Sequence, residues 1–194
     1  MFITMKALTK KFTFIMTTSI SLISLSSQAQ DYYVNNNGSD TNDGLTTQSA
    51  FKTLAKINNL SLIAGDSVYL ASGQEFIGTL EISNEAGSAQ LPIIISSYGD
   101  STARAKINAK NELAGINIVN ASYLNIRNIE IEASGGTAKK LRTGAKMRLG
   151  ILVDVNDGSG KEYGHITFDN MYIHDVYHEN SDFAGRGEDV NTSN

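Results

Sequence analysis

The chain has 194 residues, which is enough for one domain with a sizeable core. Its formal net charge is −4, from 16 lysine and arginine residues against 20 aspartate and glutamate residues, which argues against a general binder of nucleic acid or anionic membranes. No cysteine occurs, so disulfides, zinc–thiolate sites, cysteine nucleophiles and a lipid-modified cysteine are excluded.

Residues 1–29 have the pattern of a secretory signal peptide. Three lysines precede an apolar run over residues 12–25, and Ser27 and Ala29 are small residues suited to a cleavage site. A transmembrane anchor is the alternative, but the run is short and interrupted by threonine and serine. We predict cleavage after Ala29 and a secreted or periplasmic bacterial protein with no membrane span. The mature chain, without three of the 16 basic residues, carries a formal charge of −7.

A run of turn-forming residues follows a short predicted strand at residues 32–34. In this run Asp40, Asn42 and Asp43 could direct oxygen atoms at a calcium ion, which prefers such ligands. The alternative is that the same side chains form Asx-turns with the loop's own backbone. No glutamate follows at the spacing of an EF-hand loop. Calcium is therefore the one candidate cofactor.

Residues 48–59 carry Phe51, Leu54 and Ile57 near helical spacing, with Ser49 as a candidate N-cap. This pattern predicts an amphipathic capping helix that covers the apolar end of a repeat structure. Residues 67–70 then predict a strand that enters the repeat.

One stretch of the sequence occurs twice, at residues 123–131 and 165–173. In both copies apolar residues alternate with polar ones, and the alternation slips by one residue at Asn128 and at Asn170. Asparagine tolerates left-handed backbone angles, so it can bend the chain between two short strands. Asparagines at the same corner of successive turns could also stack their amides. These features predict an all-β fold, a right-handed parallel β-helix or solenoid.

Three strands are predicted for each circuit of this solenoid, within the domain at residues 30–194. Glycines that open the first strand of each circuit, at positions 78, 115 and 150, recur after 37 and 35 residues. The strands are predicted at residues 79–83, 92–97 and 103–108, at 115–119, 123–127 and 129–133, and at 150–155, 165–169 and 171–176. Residues 185–190 fall where a fourth circuit begins, so we expect the N-terminal portion of a longer protein, with its later circuits absent.

A basic insertion follows the strand at residues 129–133. It carries five cations and no acid within ten residues, on a protein of negative net charge: Lys139, Lys140, Arg142, Lys146 and Arg148. Arginine grips a carboxylate through two hydrogen bonds, and lysine with a lowered pKa can act as a base. We therefore predict catalytic roles for Lys146 and Arg148 and substrate binding for the other three. The alternative is a solvated surface loop.

Histidines cluster at residues 174–179. The spacing of His174 and His178 suits metal ligands on a helix, but His174 ends a predicted strand, which disfavours zinc. His178 is a candidate general base or sugar contact in the following loop. His165 is predicted to be a turn residue.

The outward row of the first strands is a candidate floor for a sugar groove. It presents Glu81, Asn117, Leu152 and Asp154, of which Asn117 and Asp154 are predicted to bind substrate hydroxyls. Glu81 and Asp154 are two strands apart and do not form the carboxylate pair that a hydrolase needs. Tyr172 and Tyr177 are predicted near the surface, where a sugar could stack on them, whereas Tyr69 and Phe168 are predicted in the core.

Several short motifs between residues 32 and 73 resemble the N-terminal signature of secreted bacterial β-helix proteins of the pectate-lyase-like superfamily. They are Tyr32-Tyr33-Val34, Gly38-x-Asp40, Asn42-Asp43-Gly44, Phe51-Lys52-Thr53-Leu54, Gly65-Asp66-x-Val68-Tyr69-Leu70 and Gly73. The resemblance extends in motif detail from about residue 32 to residue 99, and onward to residue 176 it lies in the strand pattern alone. It implies a polysaccharide lyase whose basic catalytic residue and calcium-binding acids lie on later circuits.

These observations predict a secreted polysaccharide lyase that cleaves a uronic-acid glycan, such as pectate or alginate, by β-elimination. A glycoside hydrolase on the same scaffold is one alternative, and a non-catalytic glycan-binding or adhesin-like solenoid is another. The predicted partner is a polysaccharide and not nucleic acid, and we expect a monomer when the protein is full length.

Overall fold

The computed structural model describes residues 28–99, 102–134, 139–140 and 146–177, with backbone alone for 139, 140, 146 and 147. These residues form fourteen strands and one helical turn. In chain order they are β1 (Asp31–Val34), α1 (Leu54–Ile57), β2 (Ser67–Ala71), β3 (Glu75–Ile77), β4 (Leu80–Ser83), β5 (Ile93–Tyr98), β6 (Ala105–Asn108), β7 (Ala114–Val119), β8 (Leu124–Arg127), β9 (Ile129–Ala133), β10 (Lys139–Lys140), β11 (Lys146–Met147), β12 (Leu149–Asp154), β13 (Ile166–Asp169) and β14 (Tyr172–Val176). None of the described helices is long and apolar enough to cross a membrane.

The strands build three parallel sheets, which we name A, B and C. Sheet A has the order β1-β2-β5-β8-β13, sheet B is β14-β9-β6-β3, and sheet C is β12-β7-β4. The chain visits A, B and C in turn and then repeats, so each strand pairs with the strand one circuit earlier. The result is an all-β, β-helix-like fold with almost no helix. All nine predicted strands of the three circuits form, each within two residues of its predicted bounds.

The core consists of apolar side chains that face inward from all three sheets. Ile95 and Ile126 stack in sheet A, Ile107 and Ile131 in sheet B, and all four are fully buried. Ile82 and Ile118 form the matching pair in sheet C. Each such side chain contributes about 1.5–3 kcal/mol through burial. Stacking of like residues therefore stabilises the fold without a single disulfide.

The predicted asparagine corner lies between sheets A and B. Asn128 and Asn170 have φ of 56° and 48°, in the left-handed region. The Nδ2 of Asn170 donates to the Oδ1 of Asn128 at 2.7 Å, so the amides stack as predicted. Asn128 and Asn170, at which the alternation of apolar and polar residues shifts by one position, are thus the residues that turn the chain.

A second asparagine ladder, which was not predicted from the sequence, lies at the end of the strands of sheet C. Asn120 donates through Nδ2 to the Oδ1 atoms of Asn84 at 3.3 Å and Asn156 at 3.1 Å. The three residues are 36 positions apart in each step. A little further on, Tyr123 and His165 also have positive φ, and their rings stack with centroids 4.4 Å apart. His165 is a turn residue, as predicted.

The predicted helix over residues 48–59 is wrong in extent, since only Leu54–Ile57 is helical. Phe51 instead pairs in extended form with the backbone of Tyr33 and Asn35. Ser49 is not the N-cap, because its hydroxyl donates to Asp43 at 2.6 Å, and Thr53 occupies that position. Leu54 and Ile57 are nevertheless buried.

The amide of Asn58 pairs with the outer edge of β4. Its Nδ2 donates to the carbonyl of Thr79 at 2.9 Å, and its Oδ1 accepts from the N–H of Glu81 at 3.0 Å. On sheet B, Asn36 donates similarly to the carbonyl of Glu75 at 2.8 Å. A long helix was predicted to cover this end of the stack. Instead, the side chains of Asn58 and Asn36 bond to the edge strands β4 and β3, next to the one-turn helix α1.

The glycine repeat has two physical causes. A Cβ on Gly115 would lie 2.4 Å from Cγ2 of Ile131, and one on Gly150 would lie 2.5 Å from Cγ2 of Ile173. Gly78 instead has φ of +112°. Because Leu80 pairs with Ile116, Thr79 and not Gly78 stands opposite Gly115. The three glycines are thus not one structural repeat.

The far end of the described stack leaves apolar residues exposed. Phe168 is in register with the buried Ile126, yet it is 40% exposed. Val153 and Ile173 are similarly exposed, at 49% and 44%. Phe168 thus faces inward as predicted, but no described strand covers it. Tyr69, also predicted in the core, instead faces outward and stacks on Tyr33 with ring centroids 5.6 Å apart.

Candidate functional site

The outward side of sheet B carries a concentration of charged side chains, which we name the charged face. Cross-strand register brings its members together from four strands, β3, β6, β9 and β14. Inward residues such as Ile107 and Ile131 alternate with these outward ones. The members of the charged face are Glu75, Lys106, Asn108, Glu130, Glu132, Tyr172 and His174.

Lys106 lies at the centre of the charged face. Its Nζ is 3.0 Å from Oε1 of Glu75 and 3.2 Å from Oε2 of Glu132, on the strands to either side. Hydrogen bonds to Glu75 and Glu132 raise the pKa of Lys106 above its ordinary value. Lys106 is therefore a firmly protonated cation and not a base.

Asn108 lies beneath this ion cluster, with 2% of its surface exposed. Its Nδ2 donates to Glu75 at 2.8 Å and its Oδ1 accepts from the N–H of Lys110 at 3.0 Å. The bond from Asn108, followed by that from Lys106, lowers the pKa of Glu75. The hydroxyl of Ser134 lowers the pKa of Glu132 in the same way. Both carboxyl groups are thus ionised at neutral pH.

His174 lies between two carboxylates. Its Nδ1 is 2.7 Å from Oδ2 of Asp175 and its Nε2 is 3.1 Å from Oε1 of Glu130. Carboxylates only accept hydrogen bonds, so both ring nitrogens donate when the imidazole is charged. Hydrogen bonds to Asp175 and then Glu130 raise the pKa of His174 above 6.5. Tyr172 stacks on the imidazole with ring centroids 4.4 Å apart.

A bulge explains how His174 and Asp175 meet on one surface. Sheet register shifts between His174 and Val176, and Asp175 has φ of 49°. The extra residue lets two consecutive side chains lie outside the sheet.

Next to the charged face, at the corner between sheets A and B, lies a polar cleft of about 360 Å³, which we name the corner cleft. Its polar lining consists of Ser72, Ser97, Thr102, Arg104, Asn128 and Asn170. Arg104, Asn128 and Asn170 each lie two residues before a member of the charged face. The corner cleft and the charged face therefore form one continuous polar surface.

The predicted sugar-binding row lies on sheet C, one sheet away from the charged face. Asn117 pairs with Glu81 on one side and Leu152 on the other, as the predicted row requires. Its Oδ1 is buried and makes no hydrogen bond among the described residues. Asp154 accepts from the Nδ2 of Asn156 at 3.2 Å and so lies beside the second asparagine ladder. Asn117 and Asp154 thus share one sheet face.

Two short strands of the basic insertion, β10 and β11, pair antiparallel and lie in the chain between β9 and β12. Lys140 pairs with Lys146 in its backbone register, and Lys139 pairs with Met147. Arg142 lies outside the described residues. Arg148 is only 6% exposed, and burial lowers its pKa, partly offset by the nearby Glu112. Among the five predicted cations, Arg148 is the one whose side chain the structure describes, and it is buried.

The other predicted residues are only partly located. His178 lies outside the described residues. Tyr177 and Tyr172 are 43% and 51% exposed, in line with the predicted surface positions. His174 contacts the carboxylates of Glu130 and Asp175. Within the part of the chain that the structure describes, no group of three or more His, Asp or Glu side chains converges to hold a metal.

The candidate calcium residues contact their own loop. Asp40 accepts from the N–H groups of Lys52 at 2.9 Å and Thr53 at 3.0 Å. Burial alone would raise the pKa of Asp40, but bonds from Thr53 and Lys52 lower it. Asp43 accepts from Leu45, and the Nδ2 of Asn42 donates to a backbone carbonyl. Asp43 thus forms an Asx-turn with Leu45, whereas Asp40 holds the backbone of Lys52 and Thr53 just before α1, and calcium binding stays a prediction.

Most of the charged face was not predicted from the sequence. Lys106, Glu130 and Glu132 lay at outward positions of strands that it placed correctly. A comparison of equivalent positions in neighbouring circuits could have found them, because Lys106 aligns with Glu130 and Glu132 aligns with His174. Glu75 had no such signal, because β3 is three residues long and buries only Phe76.

No known family model matches the chain. It is 30% identical, over 77% of its length, to a lacto-N-biosidase from Bifidobacterium longum subsp. longum, and it spans 12% of that protein. It is also similar to two crystal structures of the GH136 lacto-N-biosidase from Eubacterium ramulus. The selenomethionine derivative gives a TM-score of 0.66 at 27% identity, and the native protein gives 0.60 at 25%. Both comparisons cover 76% of this chain and 27% of the other.

Proposed function

We propose that the whole protein hydrolyses glycosidic bonds, and that the described circuits belong to its glycan-binding scaffold. The observation that supports this most is the similarity to lacto-N-biosidases, which extends over about three quarters of the chain in sequence and in fold. The chain spans only a small part of each of those proteins, so the activity is a proposal for the whole molecule.

On this proposal the charged face serves binding more than bond cleavage. Glycoside hydrolysis requires one protonated carboxyl group beside an ionised one. Glu75 and Glu132 both have lowered pKa values, so neither suits the role of the acid. Carboxylates and amides nevertheless accept and donate hydrogen bonds to sugar hydroxyls, and the exposed ring of Tyr172 offers a stacking surface. We therefore assign the role of the catalytic acid to neither Glu75 nor Glu132.

A lyase is the second candidate, and the five cations of the insertion favour it. Lysine must lose its proton to abstract one from a uronate, which requires a lowered pKa. Lys106 does not meet this requirement, because two carboxylates raise its pKa. Lys146 remains the proposed base of this candidate, with Arg148, His178 and a calcium ion as its proposed assistants.

We further propose that the described circuits are the first part of a right-handed parallel β-helix of the whole protein, and that residues 1–29 direct export. The parallel pairing of each strand with its counterpart one circuit earlier supports the first part. The lysine-led apolar run and the small residues before position 30 support the second.

The experiment is an assay of the full-length exported protein on two substrate groups. One group is a chromogenic lacto-N-bioside with a panel of neutral oligosaccharides, and the other is pectate and alginate. A hydrolase releases new reducing ends without ultraviolet absorbance, and we expect this result on the neutral group. An ultraviolet-absorbing unsaturated uronide would overturn hydrolysis in favour of the lyase. Glycan binding without cleavage of any substrate would instead support a non-catalytic binding protein.

A further inference from the structure

Asp66 is a buried carboxylate beside the start of β1, with 2% of its surface exposed. Its Oδ1 accepts from the backbone N–H of Gln30 at 2.8 Å, and its Oδ2 accepts from the N–H of Ile63 at 2.9 Å. Burial of a carboxylate is costly, and backbone amides offer it dipoles rather than a full positive charge. A cation at the nitrogen of Gln30 would therefore be stabilised by Asp66.

Gln30 is held in place through both its N–H and its carbonyl. The N–H donates to Asp66, and the carbonyl accepts from the N–H of Ser67 at 2.8 Å. The next residue, Asp31, pairs with Ser67 in the parallel register of β1 and β2. A shift of the chain by one residue would turn the buried side chains of β1 outward, so the register of sheet A fixes which nitrogen lies against Asp66.

The negative charge of Asp66 also acts on two neighbouring side chains. Burial, followed by the charge of Asp66, raises the pKa of Tyr32. Burial also raises the pKa of Glu85, a hydrogen bond from the N–H of Leu62 partly offsets this rise, and the charge of Asp66 adds a smaller one. A positive charge beside Asp66 would therefore also make it easier to ionise Glu85.

The predicted cleavage site places a new amino group at this same nitrogen. The pattern of residues 1–29 predicts hydrolysis of the peptide bond between Ala29 and Gln30 by a signal peptidase. The reaction consumes one water molecule and leaves a carboxylate on Ala29 and an amine on Gln30. An α-amine has an ordinary pKa of about 8, so it takes up a proton at neutral pH. The sequence pattern and the hydrogen bond to Asp66 thus select Gln30 independently.

We propose that cleavage after Ala29 converts the hydrogen bond between Gln30 and Asp66 into an ion pair, which anchors the mature N-terminus to sheet A. In the precursor the same nitrogen is a neutral amide, which bonds more weakly to a carboxylate. The cost of burying Asp66 is already met in the precursor, and the half-buried position of Gln30 leaves its ammonium partly hydrated. The chain is therefore more stable after export than before it. This inference rests on the proposed export and not on the proposed glycosidic activity.

The alternative is that Asp66 only shapes the turn before β2, so that the charge on Gln30 makes no difference. Two forms of the mature chain separate these possibilities. One begins at Gln30, and the other retains Ala29 and so keeps a neutral amide at the same nitrogen. Both are prepared from fusions from which a protease removes every added residue. Asp66→Asn removes the buried charge at nearly unchanged size, and Asp31→Asn, which removes an exposed acid next to Gln30, is the matched control.

The first measurement is urea unfolding of the full-length mature protein in these forms at neutral pH. We expect the chain that begins at Gln30 to have a folding equilibrium constant about tenfold larger than the chain that retains Ala29. Asp66→Asn should abolish this difference, whereas Asp31→Asn should retain it. Equal stability of the two chains with Asp66 present, or an undiminished difference in Asp66→Asn, would overturn the proposal.

The second measurement keeps the test decisive if Asp66→Asn fails to fold. An amine-specific acylating reagent is applied to the two folded chains at neutral pH, and mass spectrometry of the N-terminal peptide gives the rate of reaction. Because a protonated amine in an ion pair is a poor nucleophile, the α-amine of Gln30 should react about tenfold more slowly than that of Ala29. Equal rates would overturn the proposal.

The start of the exported protein tests the processing step separately. Mass spectrometry of its N-terminal peptide should identify Gln30 as the first residue. Any other first residue would overturn the proposal, even if the prepared chain that begins at Gln30 formed the ion pair. The assay of glycan cleavage measures a different property, so a failure of either proposal is recognised without the other.

Discussion

Single charged residues on sheet B are held in pairs that cross from one circuit to the next. Lys106 joins Glu75 to Glu132, and His174 joins Glu130 to its own neighbour Asp175. The groups are partly exposed, so each pair contributes little on its own, about 0–1 kcal/mol. Because the pairs connect strands from four circuits, they align neighbouring circuits as well as stabilising them.

The pair of His174 predicts a pH dependence of stability. The pKa of His174 is raised in the folded chain, so its contribution is fully present below the ordinary value of 6.5. That contribution is lost as the pH rises through the raised folded pKa. We expect the free energy of unfolding to fall by about 0.5–1 kcal/mol over this interval. Urea unfolding at a series of pH values from about 5.5 to about 9, which brackets the titration of a histidine, measures this change in the free energy of unfolding.

The control for this prediction is a pair of variants. His174→Gln should remove the fall in stability, whereas His165→Gln should retain it, since His165 stacks on Tyr123 at an exposed corner. A fall of the same size in both variants would show that another group titrates.

At the scale of strands and corners, two kinds of small residue shape the circuit. The asparagines turn the chain, and Gly115 and Gly150 let the chain pass close to side chains of sheet B. The corner at Asn128 was predictable because a slip in apolar alternation has no other simple cause. The ladder of Asn84, Asn120 and Asn156 was not, because these residues lie in loops, where no alternation exists to be interrupted.

Substitution of Gly115 tests the close approach. In Gly115→Ala the new Cβ would lie 2.4 Å from Cγ2 of Ile131, closer than two carbon atoms can stand. The fully buried Ile131 must shift, which should lower the free energy of unfolding by about 1–3 kcal/mol. Chemical denaturation measures the change. Gly164→Ala is the matched control, because nothing lies within 4 Å of its Cβ, and an equal loss there would refute the packing argument.

At the scale of the whole molecule, the sequence predicted the parallel sheets well and the end of the stack poorly. Strand positions followed from alternation, since a buried interior demands it in every circuit. Residues 48–59 have an apolar spacing that fits both a helix and an extended segment packed on the core. Pairing of Phe51 with the backbone of Tyr33 decided the outcome, and such a distant contact leaves no local sequence signal.

Asp40 provides the test of how this end is held together. Its carboxylate accepts from the N–H groups of Lys52 and Thr53 and from the hydroxyl of Thr53 at 2.7 Å. Asp40→Ala should therefore lower the free energy of unfolding by about 1–2 kcal/mol. Thermal and urea unfolding in EDTA and in calcium measure it. An equal loss in both buffers supports the role of Asp40 in holding Lys52 and Thr53, and a larger loss in calcium would instead support the predicted ion site.

The hairpin of β10 and β11 leaves sheet B after Ala133, and the chain enters sheet C at Leu149, which pairs with Ala114. The circuits before and after it stay in register, so its length is independent of the packed interior. Doubling such a loop costs only about 0.6 kcal/mol in closure entropy. Evolution can therefore lengthen, shorten or recharge the segment between β9 and β12 while the register of the circuits stays constant.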